Sequence, residues 1–114
     1  MVFLALVYSG LGLLFVGLAV PLIQQRVPPN SAYGYRVPQT VHDPSLWYPV
    51  NAYAGRLLCG VGLMVTPIAV LLALVPGMRP ETYVIIMSTI LVVGTLLMAV
   101  LGWVYPQRLL RERS

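Results

Sequence analysis

The chain has 114 residues, of which 59% are hydrophobic and only 9% charged, with a mean hydropathy of +0.85. A soluble domain carries about 25% charged residues, and one this small would need far more polar surface to cover its core, so the bilayer is the expected solvent. The net charge of +4 comes from seven arginines and three acids, too sparse for the clustered basic patch that a nucleic-acid partner requires.

The first element is Val2 to Ile23, an uncharged apolar stretch. The second runs Leu57 to Val75 and the third Tyr83 to Tyr105, each also without a charge. A helix needs about 20 residues, at ~1.5 Å each, to cross a ~30 Å hydrocarbon core, and all three qualify. The first stretch lacks a basic leader and a small-residue cleavage site, and it is longer than the about 7–15 apolar residues of a signal peptide, so it is read as retained. The expected organisation is a single all-α membrane domain of three transmembrane helices, spans about 2–23, 57–75 and 83–105, with a structured cytoplasmic loop between helices 1 and 2. The short link Pro76–Thr82 joins the last two spans, and a tail follows from Pro106.

Arginine counting sets the orientation. With three spans, the long loop and the tail share one side, holding Arg26, Arg36, Arg56, Arg108, Arg111 and Arg113 against Arg79 on the other. Arginine excess marks the cytoplasmic side, so the N-terminus is expected outside and the C-terminus inside a plasma membrane. The tail arginines read as a topology signal and an anchor to anionic lipid. Trp103 and Tyr105 sit where the inner aromatic belt belongs, and Tyr83 where the outer one does.

Small residues recur in each span: Ser9, Gly10 and Gly17, then Gly60 and Gly62, then Gly94 and Gly102. They permit close helix approach, either among the three spans or with a partner. Pro67 falls inside the second span and is expected to kink it, with Thr66 placed to satisfy the freed backbone. Cys59 is alone, so it forms no internal disulfide and reads as a small buried apolar residue.

Gln24 to Arg56 is the one long polar segment, rich in proline and tyrosine. Pro28 and Pro29 are expected to end the first helix. Asn30 and Ser31 suit a turn, and Gly34 suits a positive φ or a close backbone approach. Arg36, between Tyr35 and Pro38, has the two-pronged geometry to bind phosphate or carboxylate, or to stack on tyrosine. It reads either as a ligand contact or as a structural tie to a helix C-terminus or lipid phosphate. Asp43 followed by Pro44 is an N-cap signal. From there Trp47, Asn51, Gly55 and Cys59 recur every fourth residue, on one face of a helix. Pro49 is expected to interrupt that helix, giving an interfacial segment before span two. Trp47 reads as an interfacial anchor or as a partner contact. Because Pro38 to Asp43 is a short tether, Tyr35, Arg36, Trp47 and Asn51 are expected to form one cluster at the interface.

The chemistry of catalysis is thin. His42 beside Asp43 reads as a turn next to a cap rather than an acid–base pair. The acids are Asp43, Glu81 and Glu112, from which no carboxylate pair or metal site is built, so no enzyme, cofactor or metal is expected. No acid or base lies within a span, where pumps and ion-coupled transporters keep theirs.

The pattern P-N-x-x-x-G-Y-R-x-P at Pro29, Asn30, Gly34, Tyr35, Arg36 and Pro38, followed by W-x-x-x-N-x-x-x-G at Trp47, Asn51 and Gly55, resembles the signature of the SdpI family. These are bacterial multi-pass membrane proteins. The namesake protects a producing cell from its own secreted toxic peptide and sequesters an autorepressor at the membrane. It has six spans with the motif in the C-terminal three, and this chain corresponds to that three-span unit. The resemblance implies an SdpI-like immunity protein that binds a membrane-active peptide through those nine positions. The alternative is a small accessory subunit of a larger membrane complex. The expected partners are the lipid bilayer and a peptide toxin, a larger complex or a second copy of the chain.

Overall fold

A computed structural model of the protein describes residues 1–28 and 44–113. They form three helices: α1 over Val2–Ile23, α2 over Pro44–Ala73 and α3 over Pro80–Arg113. All three are long and apolar enough to cross a membrane. In lipid this is the arrangement the backbone demands, since a helix pairs its N–H and C=O groups within the segment.

The first span has the bounds read from its apolar run. Its end, however, is made before the prolines. Gln25 adopts a left-handed backbone with φ of 57°. Around it, the Arg26 N–H donates to the Pro21 carbonyl at 3.0 Å and the Gln25 N–H to the Leu22 carbonyl at 3.1 Å. This pair of bonds is the Schellman cap, which satisfies carbonyls that the helix end would otherwise leave open. Pro28 lies beyond a helix that has already stopped.

Two further expectations are corrected. The segment before span two is not a separate interfacial helix: α2 is continuous from Pro44 through Pro49 and Pro67. Proline removes one backbone bond, and at Pro49 the burial of neighbouring Leu46, Trp47 and Val50 outweighs that loss, as tertiary packing commonly does. Likewise α3 does not end at Pro106 but runs on to Arg113. The residues after Pro106 are mostly Leu, Arg, Gln and Glu, strong helix formers that carry the helix past one missing bond. With 34 residues α3 reaches about 51 Å, well beyond a ~30 Å core. The long axis of the molecule is correspondingly 56 Å. The link between α2 and α3 turns at Gly77, whose φ of 77° lies in the left-handed region that glycine enters without strain.

The central helix is α2, with α1 along one flank and α3 along the other. The α1–α2 seam is a backbone contact. A Cβ on Gly12 would collide with the Thr66 hydroxyl and lie 2.8 Å from the Gly62 carbonyl. One on Gly62 would collide with the Gly12 carbonyl. The Thr66 hydroxyl lies within 3.0 Å of the Gly62 carbonyl and 3.3 Å of the Ser9 carbonyl, and donates between them. Thr66 therefore bridges two helices instead of serving the Leu63 carbonyl that Pro67 leaves open. Gly94 approaches α2 at Val61, whereas Gly10, Gly17 and Gly60 face open space.

All three helices meet at the end away from residues 28 and 44. Tyr83 is 0% exposed, and its hydroxyl donates to the Ala69 carbonyl at 2.8 Å. Its ring meets that of Tyr8 edge-on at 5.7 Å, and the Tyr8 hydroxyl bonds that of Ser88 at 2.9 Å. Tyr83 is thus an internal strut rather than the lipid-facing belt residue that its position suggested. Trp103, at 46% exposure, does face outward.

Candidate functional site

The end carrying residues 28 and 44 is built by the second half of the motif. Trp47, Asn51 and Gly55 share one face of α2, each a turn beyond the last, and that face packs on the end of α1. The Trp47 indole is fully buried, and its N–H donates to the Val27 carbonyl at 2.7 Å. Asn51, 2% exposed, donates through its side-chain amide to the Trp47 carbonyl at 3.0 Å. Gly55 completes the face: a Cβ there would lie 3.0 Å from that of Leu22 and 3.1 Å from the Ala19 carbonyl. A larger residue here would press on the end of α1.

Trp47 is buried against the end of α1, and its indole N–H clamps the chain leaving α1 to the first turn of α2. Asn51 braces the clamp from below. An indole N–H or amide left unpaired in such a site costs about 1–3 kcal/mol, so each bond fixes a geometry as well as adding stability. The clamp holds Val27 against Trp47 and thereby brings together the two ends of the segment 29–43.

Pro29, Asn30, Gly34, Tyr35, Arg36 and Pro38, with His42 and Asp43, lie outside the described residues. So do the expected ordering of that loop and the half of the cluster contributed by Tyr35 and Arg36. The described half, Trp47 with Asn51, is brought together as the four-residue spacing implied.

Between Asn51 and Gly55, Tyr53 stacks on Tyr105 with ring centres 4.4 Å apart and planes at 19°, tying α3 to α2 at this end. Arg26, Arg56 and Arg108 are all exposed here. Among the described residues none of them has an ion-pair partner; the one salt bridge, Arg79 with Glu81 at 3.6 Å, lies at the opposite end and is solvent-exposed. Among the described residues there is also no group of three or more His, Cys, Asp or Glu side chains close enough to hold a metal ion.

Several partners in the site were not singled out from sequence. The Val27 carbonyl is a backbone group, invisible to a reading of side chains. Gly12, rather than Gly10 or Gly17, makes the close approach to α2. The signal was present: Tyr8, Gly12, Ala19 and Leu22, the buried residues of α1, fall on one helical stripe.

The architecture and the clamp define a multi-pass helical membrane protein with a motif-bearing connection between its first two helices. The chain matches the SdpI/YfhL protein family over residues 26–106 and belongs to that family. The match opens at Arg26 in the cap of α1 and takes in the motif segment, α2 and α3 as far as Pro106. No curated protein and no solved structure matches the chain.

Proposed function

We propose that this protein is an SdpI-like binding protein of a bacterial plasma membrane, not an enzyme, and that it confers immunity by capturing a membrane-active peptide or shielding its target. The observation that supports this reading most is the clamp. The tryptophan, asparagine and glycine of the motif join two membrane helices, so Asn30, Tyr35 and Arg36 are carried by a segment tethered at both ends to one rigid base. Tethering of that kind reduces the entropy lost when a ligand is bound. Arginine and tyrosine are the residues that dominate recognition surfaces, through two-pronged hydrogen bonding and broad aromatic contact.

The arginine distribution supports a cytoplasmic location for this end, with the N-terminus outside. Cysteines placed at Gly77 and at Ser114 test it: an impermeant reagent on intact cells is expected to label the first and spare the second. The reverse pattern overturns the orientation.

The functional test is survival. Cells of a sensitive strain carrying the protein are challenged with a secreted membrane-active peptide toxin. Protection is expected, and Arg36→Lys is expected to abolish it while the protein accumulates normally. Absence of protection, together with stoichiometric co-elution with a large membrane complex in mild detergent, would replace this reading with that of an accessory subunit.

A further inference from the structure

Between α2 and α3, on the flank away from α1, runs an open groove of about 590 Å³. That volume is within the about 300–1,000 Å³ of small-molecule sites. Its lining is almost wholly apolar, with Met64 and Thr89 toward one end, Gly60 and Gly94 in the middle, and Leu101 and Arg56 at the other. The groove exists because α3 is drawn to α2 by tyrosines at both ends, while Gly60 leaves open space beside it.

We infer that this groove is a binding site for one anionic phospholipid, its acyl chain lying between α2 and α3 and its phosphate on Arg56. Three observations converge. The first is depth: from Thr89 to Leu101, at ~1.5 Å per residue, the groove runs about 18 Å, close to the ~15 Å of a single leaflet in a ~30 Å core. The second is the position of Arg56. It lies at the mouth of the groove, one turn from the Tyr53–Tyr105 stack at the end of the apolar run of α3, and it is exposed. The third is its chemistry. Among the described residues Arg56 has no hydrogen-bond or ion-pair partner, so its guanidinium is free for a planar two-pronged contact with phosphate.

Charge argues against a second copy in the same place. A protomer of net charge +4 would bring further arginines to an end where Arg26 and Arg108 are already exposed. A helix about 10 Å across would also cover Arg56 and separate it from the headgroups. The inference goes beyond the immunity reading and stands or falls independently of it.

The test is lipid retention. The protein is reconstituted in nanodiscs of equal parts phosphatidylglycerol and phosphatidylcholine, extracted in mild detergent, and its bound lipid counted by native mass spectrometry. One phosphatidylglycerol per protomer is expected to remain, in preference to phosphatidylcholine. Arg56→Gln is expected to reduce that preference about five-fold, the value of one arginine at an anionic surface. Gly60→Leu is expected to abolish retention by filling the groove, whereas Gly10→Leu on the far face of α1 leaves it unchanged. Both groove variants should fold, since Arg56 is exposed and a Cβ on Gly60 meets nothing within 4 Å. Equal retention of both lipids, or retention unaffected by both groove variants, overturns the inference. So does a Gly60→Leu protein that changes its oligomeric mass and not its lipid count.

Discussion

Along α1 the central helix packs backbone against backbone, at Gly12, Gly62 and Gly55; along α3 it is held by tyrosines at two ends and leaves a groove between. In water both seams would close by burying apolar surface. In lipid that driving force is absent, and a seam must be made by close van der Waals contact or by polar bonds. The α1–α2 seam uses glycine and Thr66, and has no slack. The α2–α3 seam relies on the Tyr83 and Tyr53 contacts and on the approach of Gly94 to Val61, and tolerates space beside them. One seam is therefore suited to fixing the geometry of the motif segment, and the other to admitting something from the bilayer.

The largest effect is expected where no slack exists. Gly62→Val sets a side chain against the Gly12 carbonyl, and is expected to cost at least about 3 kcal/mol, the upper range for overpacking. Thermal unfolding in detergent would register this as a large fall in midpoint or a loss of recoverable protein; a midpoint near that of the wild type would show that the seam opens readily. Next comes the clamp. Trp47→Phe keeps an aromatic ring but removes the N–H bonded to Val27 and part of the buried bulk, with an expected loss of at least about 1–3 kcal/mol by the same measurement. A change within error would mean that neither the indole bond nor its full bulk is needed to hold the end of α1. Tyr83→Phe should matter less, about 0.6 kcal/mol, because hydrogen bonds between helices in membranes are individually weak. Denaturation by titrating a harsh detergent, compared with Tyr8→Phe, would reveal whether the strut exceeds that value. The smallest effect belongs to the outward face of α1. A Cβ on Gly17 meets nothing within 4 Å, and Gly17→Leu should shift stability by no more than about 0.5 kcal/mol. A clear fall in oligomeric mass for that variant would instead identify the face as a contact between copies.

The three spans were legible because membrane thickness dictates the length of an apolar run. The clamp face was legible because Trp47, Asn51 and Gly55 repeat at the helical interval. The helix ends were not. Pro49 and Pro106 signal breaks in isolation, yet each removes a single bond, and burial at one and helix propensity at the other override it. Tyr83 was misplaced for a related reason: a tyrosine near a span end suits both the lipid interface and a gap between helices, and only the location of the Ala69 carbonyl decides. Among glycines, sequence identifies which residues are small but not which of them face a neighbour, so Gly12 was missed while Gly10 and Gly17 drew attention.

The left-handed residue that ends α1 fixes a direction as well as a length. The chain turns at Gln25, and two residues later its carbonyl meets Trp47. Were α1 to stop a turn later, that carbonyl would be displaced by about 5.4 Å and the indole would find no acceptor. A non-glycine residue in this conformation carries strain of about 1–2 kcal/mol, so the strain at Gln25 is spent on aiming the chain. Glycine at this position should keep the aim and relieve the strain. A β-branched residue, which resists the left-handed region most, should lose the aim and with it the common base of the motif segment.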